Sequence, residues 1–177
     1  MTIPPAAAIA AVTLLAVLVM MAGETVLSSF NESQLRKQGA IEPEGDVYRA
    51  MRLAYPASFV AMAIEGAWRG PSPSMALVGG LVIFGAAKAL KVWAISTLGP
   101  RWSFRVLVPP GTPLVAAGPY RIVNHPNYVA VVGELVGAAA TMAAPLTGVM
   151  ALAVFGWLLR ARIRVEDRAL GRTRTLQ

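Results

Sequence analysis

With 177 residues, of which 56% are hydrophobic and 14% charged, the chain is more apolar than an ordinary soluble domain, in which about a quarter of the residues are charged. Residues 4–23 form a run of 20 uncharged residues, long enough to cross a bilayer as a helix at about 1.5 Å per residue. The net charge of +7 would suit a nucleic-acid partner, but the basic residues lie between apolar segments, a pattern typical of membrane topology. The absence of cysteine excludes disulfides and thiolate chemistry. We therefore predict an all-α integral membrane protein, one domain over 1–177, that contacts membrane lipid and no nucleic acid.

Five apolar segments predict about five transmembrane helices. The first helix continues beyond the membrane, where Glu24, Ser28 and Asn31 share one helix face. The polar residues 35–46 follow it, and GPSPS at 70–74 predicts a tight turn after the second helix. The five predicted spans cover about residues 4–22, 48–68, 75–97, 126–143 and 147–159.

The stretch between the third and fourth helices, residues 99–120, has too many prolines and glycines for a helix and is too apolar for a free linker. We predict a folded cytoplasmic connector with short extended pieces. Five spans place the amino terminus outside and the carboxyl terminus inside, so that all of the 16 basic residues except Arg69 lie on the inner side. The composition, rich in Ala, Gly, Val and Arg, suggests a bacterium and hence its inner membrane, and the positive-inside pattern places the functional groups on the cytoplasmic side.

The sequence GPYRIVNHPNY, residues 118–128, places several polar side chains before the fourth helix. It includes the single histidine of the chain, His125. Aromatic and basic residues in such a place also form headgroup anchors, in which case His125 would simply cap the helix. The residues alone leave both interpretations open.

A second polar stretch, RIRVED at 162–167, follows the fifth apolar segment. Arg162 and Glu166 are four residues apart and share a helix face, which a basic cytoplasmic tail would also show. However, Glu166 and Asp167 lie near a helix carboxyl end, where the macrodipole disfavours anions. We therefore expect both acids to have partners elsewhere in the fold.

Glu134 lies inside the fourth apolar segment. It follows His125 by nine residues, which places it about 13 Å deeper along a helix at 1.5 Å per residue. An intramembrane carboxylate is costly and usually faces a partner or a cavity. Two interpretations remain: a protonated glutamate bonded to a neighbouring helix, or a base that lines an acceptor tunnel.

The two polar stretches resemble the isoprenylcysteine carboxyl methyltransferase family. Its pattern is a Gly-x-Tyr, a His-Pro-x-Tyr, a helical hairpin and an Arg-x-x-x-Glu followed by an acid, which the chain matches over about residues 100–170, the core expected to bind the cofactor. The residues SSFNESQLRKQGAIEPEGDVYRAM at 28–51 are similar to a bacterial branch found beside type III polyketide synthases. That branch methylates alkylpyrones and related phenolic lipids. Ala130 and Asn124 stand where many members have glycine and arginine.

The resemblance implies an S-adenosylmethionine site on the cytoplasmic face. In it Glu166 contacts the cofactor and Arg162 the acceptor, so Arg162 is an expected catalytic residue. Glu134 is the other, on its interpretation as a base that lines the acceptor tunnel. The expected cofactor-binding residues are Thr112, Pro113, Leu114 and Val115 through their backbone, Tyr120 by packing on the cofactor, and His125, Pro126, Asn127 and Tyr128 around its adenosine and methionine parts.

The predicted function is S-adenosylmethionine-dependent O-methylation of a lipophilic acceptor. Such a displacement needs positioning and a dry site, and a single histidine without cysteine does not suit a zinc centre, so we expect no metal. The acceptor is a pyrone or phenolic lipid hydroxyl, or else a carboxylate such as that of a prenylated cysteine, as in a protein carboxyl methyltransferase. Two alternatives of other classes are an NADPH-dependent membrane reductase and a non-catalytic membrane scaffold.

Overall fold

The computed structural model describes residues 5–70 and 75–171, and most of the predicted GPSPS turn lies outside them. The described chain is all-helical, as predicted, and its helices follow the five apolar segments. Two short 3-10 turns, Gly99–Arg101 and Gly118–Arg121, flank the connector. The helices are α1 Pro5–Lys37, α2 Tyr48–Arg69, α3 Met75–Leu98, α4 Pro126–Thr141 and α5 Pro145–Ala169.

Three of the five helices are long and apolar enough to cross a membrane. They cover Ala7–Lys37, Met75–Arg101 and Pro145–Ala169. The helix α4 has 16 residues, which at 1.5 Å per residue gives about 24 Å, less than the roughly 30 Å of a bilayer core. The helix α2 carries charged residues near both ends. The protein is therefore a membrane protein of five helices, while the number of complete spans stays a prediction.

The helices pack as two close pairs, α1 with α2 and α3 with α4, which α5 joins through α2 and α4. Glycines allow the close approach of α3 and α4. A Cβ atom at Gly137 would lie 2.5 Å from the Phe84 backbone nitrogen, and one at Gly80 would lie 2.6 Å from the Thr141 nitrogen. Small residues at such an interface are typical of membrane helices, in which packing rather than hydrophobic burial holds helices together.

The predicted polar face of α1 holds the connector. The Ser28 hydroxyl accepts a hydrogen bond from the Phe104 backbone N–H at 2.8 Å, and the Asn31 side-chain amide donates to the Trp102 carbonyl at 2.8 Å. The part of α1 beyond the apolar run is therefore a scaffold for the connector. The connector was predicted to contain short extended pieces. The structure shows one isolated β-bridge there, between Val108 of the connector and Ile41 of the α1–α2 loop.

Glu42 joins the α1–α2 loop to the connector. Its carboxylate lies 2.5 Å from Arg36 and 2.5 Å from Arg105. The Arg105 guanidinium also lies over the Tyr48 ring, 4.6 Å from its centroid. Burial raises the pKa of Glu42, but the hydrogen bonds from the two arginines outweigh it, so the pKa lies below its ordinary value. These contacts fix the loop and the connector as one cover over the helices.

Candidate active site

A cavity lies beneath this cover and extends between the helices. It encloses about 1700 Å³, including the space at its open mouth. Its inner wall is apolar, with Met21, Met51, Val131 and Phe155. Its outer wall is built by the connector and by the polar stretches of α4 and α5, so one cavity combines an apolar part with a polar part.

His125 stands immediately before α4. Pro126 is tolerated in the first turn because its missing N–H would have no helical partner there. The side chain of His125 does not cap the helix. Instead its ring stacks on Tyr128, with centroids 5.4 Å apart and planes at 14°, and its Nε2 lies 3.1 Å from Asp167 Oδ1. The histidine thus connects the start of α4 to the end of α5.

Tyr128 links the two functional residues of α5. Its hydroxyl donates to Glu166 Oε2 at 2.5 Å and accepts from Arg162 Nε at 2.9 Å. Together with the contact of His125 to Asp167, this confirms that both acids of α5 have partners elsewhere in the fold. The two acids near the carboxyl end of α5 therefore connect α5 to α4.

Arg162 is 4% exposed, and all three nitrogens of its guanidinium have partners. Besides Tyr128, it donates to the Phe104 carbonyl and forms an ion pair with Asp46 at 2.6 Å. Asp46 also accepts from the backbone N–H of Tyr48 at 3.1 Å. Arg162 therefore holds the loop, the connector and α4 together at the cavity wall.

Asp46 was missed by the sequence reasoning. The Asp46 carboxylate accepts the backbone N–H of Tyr48, two residues later, as aspartate side chains commonly do in turns. Its partner Arg162 is 116 residues away along the chain, and no spacing rule connects them. The sequence around Asp46 therefore indicated only a turn before α2 and gave no sign of the contact with Arg162.

The remaining expected cofactor-binding residues also lie around this cavity. Asn127 contributes a buried side-chain oxygen, and Trp102 a buried ring N–H, neither of which has a hydrogen-bond partner among the described residues. Buried polar atoms without partners are uncommon and suit a site built for a polar ligand. The other residues of this set that line the cavity are Thr112, Pro113, Leu114, Val115, Tyr120 and Pro126.

Glu134 is placed differently. It is 1% exposed and is not among the described residues that line the cavity. It lies 3.1 Å from Lys88 Nζ and 3.2 Å from Lys91 Nζ, and it accepts a hydrogen bond from the Tyr55 hydroxyl. Glu134 therefore has the expected partners on neighbouring helices, and they are two lysines of α3 and a tyrosine of α2. Its role as a base remains a prediction.

Comparison with known proteins identifies the family of the chain. A profile of the isoprenylcysteine carboxyl methyltransferase (ICMT) family matches residues 78–172, more than half of the chain, and this segment contains most of α3, the connector, α4 and α5. The chain belongs to the ICMT family. Members of this family are membrane methyltransferases, and the matched segment includes all the expected site residues.

Two relatives extend the similarity beyond the ICMT segment. The uncharacterized protein YpbQ of Bacillus subtilis strain 168 is 32% identical over 158 residues, which cover 89% of this chain and 94% of that protein. An uncharacterized protein of Haemophilus influenzae is 26% identical over 145 residues, which cover 81% of this chain and 84% of that protein. No solved structure gives a significant match. Both relatives match this chain over most of their own length.

Proposed function

We propose that this ICMT-family protein transfers a methyl group from S-adenosylmethionine to a hydroxyl oxygen of a lipophilic acceptor. The observation that supports this best is the composition of the cavity. The family motif residues His125, Asn127 and Tyr128 line the same space as the apolar side chains of Val131 and Phe155. The cavity therefore offers a polar part suited to the cofactor and an apolar part suited to a lipophilic acceptor.

The polar part of the cavity fits the cofactor chemically. The unpartnered Asn127 oxygen is an acceptor and the unpartnered Trp102 N–H is a donor, and a purine with ribose offers the complementary groups. The stacked rings of His125 and Tyr128 present aromatic surface, and Glu166 supplies a negative charge near them. The cofactor, when bound, supplies a methyl group activated by a cationic sulfonium, which such a carboxylate and aromatic faces favour.

The protein's own contribution is positioning and exclusion of water. The cover formed by the α1–α2 loop and the connector shields one side of the cavity from water, and Arg162 ties that cover to Tyr128. Displacement at a methyl carbon depends on in-line alignment, so these contacts act on the reaction through geometry.

The state of Arg162 favours a neutral acceptor over a carboxylate. An acceptor carboxylate would have to replace Asp46, which lies 2.6 Å from the guanidinium with both side chains 5% exposed. A hydroxyl makes no such demand. We therefore favour a pyrone or phenolic lipid hydroxyl over a prenylated cysteine carboxylate, in a bacterial inner membrane with the cavity on the cytoplasmic side.

The proposal is tested by methyl transfer with purified protein in lipid nanodiscs. Labelled S-adenosylmethionine is supplied with an alkyl hydroxypyrone, an alkylphenol or S-farnesylated N-acetylcysteine, and products are identified by a mass gain of one CH₂ unit. We expect transfer to the hydroxyl acceptors. Transfer to the farnesylated acid alone would identify a protein carboxyl methyltransferase. NADPH oxidation without methyl transfer would identify a reductase. Absence of both activities would favour a non-catalytic scaffold.

A further inference from the structure

Five side chains form a buried polar cluster between four helices. We call it the ion-pair cluster, and it consists of Glu24 on α1, Tyr55 on α2, Lys88 and Lys91 on α3, and Glu134 on α4. Glu24 lies 2.7 Å from Lys88 and 2.8 Å from Lys91, and Glu134 lies 3.1 Å and 3.2 Å from the same two lysines. Charges are costly in a membrane interior, and a cluster of this kind is usually functional.

The cluster has one side at the cavity and one side behind it. Glu24, Lys91 and Tyr55 are among the residues that line the cavity. Glu134 and Lys88 are not among the described lining residues. A molecule in the apolar part of the cavity therefore meets Glu24 directly, whereas it is separated from Glu134 by the side chains of Lys91 and Tyr55.

The charges of the cluster balance, since it contains two carboxylates and two ammonium groups. An acceptor that arrived as an anion would add an uncompensated negative charge next to apolar walls, which is strongly unfavourable. A neutral hydroxyl compound adds no charge. If its proton moves to Glu24, the new oxyanion replaces the lost carboxylate charge beside Lys91, so the cluster stays balanced throughout.

We propose that Glu24 is the general base that accepts the hydroxyl proton of the acceptor. This inference rests on the proposed methyl transfer to a hydroxyl acceptor and adds the group that takes the proton of that hydroxyl. The acceptor O–H bond breaks, and the proton forms an O–H bond on the Glu24 carboxylate. The acceptor oxygen forms a bond to the methyl carbon, and the electron pair of the cleaved carbon–sulfur bond stays on sulfur. Glu24 returns its proton to water after product release.

Glu134 has a supporting role in this arrangement. It holds Lys91 from behind and accepts from the Tyr55 hydroxyl, so it fixes the ammonium group that receives the new oxyanion. Glu134 is therefore a positioning residue for Lys91. Glu134, the acid of the fourth apolar segment, therefore acts through its neighbours, whereas Glu24, the acid at the cavity wall, belongs to α1.

The test compares Glu24→Gln with the parent on two acceptors, an alkylphenol and S-farnesylated N-acetylcysteine. The phenol is protonated in water at pH 7, since phenols have a pKa of about 10. For the alkylphenol we expect kcat to fall by about 10²-fold at pH 7, the usual contribution of a general base. The loss should shrink as pH rises towards the pKa of the phenol, because the acceptor then ionises in water and binds beside a cluster with an excess positive charge. The farnesylated carboxylate needs no base, so its methylation by Glu24→Gln should not fall below that by the parent. Glu65→Gln is the matched control, because Glu65 is a buried carboxylate of α2 that bonds Thr147 on α5 and does not line the cavity.

Two results would overturn the assignment. One is an alkylphenol rate equal to that of the parent, and the other is a loss of the same size at every pH, which indicates a structural role. If Glu24→Gln does not fold, the pair Glu24→Gln with Lys88→Met removes one charge of each sign. The loss at pH 7 is still expected for the hydroxyl acceptor, but its recovery at high pH should be smaller, because this cluster has no excess positive charge. Absence of methyl transfer and of S-adenosylhomocysteine binding in the parent would instead refute the proposed function itself.

Discussion

Removal of the Asp46 carboxylate should destabilise the protein strongly, because it leaves Arg162 buried without its ion-pair partner. The two side chains are each 5% exposed and their charged atoms lie 2.6 Å apart, so solvent screens the pair little. Breaking a buried pair from one side costs about 3–5 kcal/mol. Asp46 also accepts the backbone N–H of Tyr48, and such a lost hydrogen bond adds about 1 kcal/mol.

We therefore expect Asp46→Ala to lower the free energy of unfolding by at least about 3 kcal/mol. Unfolding in detergent is followed by the fluorescence of the four tryptophans. Glu44→Ala is the control, because Glu44 is an exposed acid of the same loop. The double variant Asp46→Ala with Arg162→Met removes both charges and should be more stable than Asp46→Ala alone. A loss within about 0.5 kcal/mol of that of the control, the usual range of surface substitutions, would refute the argument.

Three further predictions concern stability and ligand affinity. The pKa of Glu42 lies below its ordinary value, so the stabilisation from Glu42 is complete above about pH 4.5 and is lost as pH falls through the lower folded-state pKa. Glu42→Gln should flatten this part of a curve of stability against pH. An unchanged curve would contradict the role of the two arginines. Gly137→Ala, which forces a Cβ against the α3 backbone, should lower stability by about 1–3 kcal/mol, whereas Gly85→Ala, with open space around it, should not, and equal effects in thermal unfolding would argue against close helix packing. Tyr128→Phe removes the hydroxyl between Arg162 and Glu166 and should weaken S-adenosylhomocysteine binding by about tenfold, or ~1.4 kcal/mol, in calorimetry; an unchanged Kd would exclude that hydroxyl from the site.

The helices could be predicted from the sequence because apolar runs and their interruptions are local signals. The start of α4 at Pro126 and its contacts with the end of α5 followed from a proline in a first turn and from acids placed against a helix dipole. The number of complete spans could not be predicted in the same way. The helix α2 carries charges near both ends and α4 is short. The positive-inside pattern of the chain is therefore compatible with more than one depth of these two helices in the bilayer.

The interior of the site depends on contacts that local patterns do not contain. Lys88 and Lys91 counted as inner-side charges in the predicted topology, but in the structure Lys91 is buried and Lys88 half-buried against Glu24 and Glu134. Helical periodicity shows which residues share a face of one helix, and it does not show which helix that face meets. The partner of Arg162 was missed for the same reason, since Asp46 reaches it from a distant loop.

The most direct test of the account is calorimetric binding of S-adenosylhomocysteine to the purified protein in nanodiscs. If the cavity binds the cofactor, the parent should bind it, and NADPH should give no signal. Asn127→Leu, which removes the unpartnered buried oxygen while keeping the side-chain size, should weaken binding about 5–150-fold, corresponding to about 1–3 kcal/mol, while Glu44→Gln should leave the Kd unchanged. No binding by the folded parent, or equal Kd values for the parent and Asn127→Leu, would contradict the assignment of this cavity.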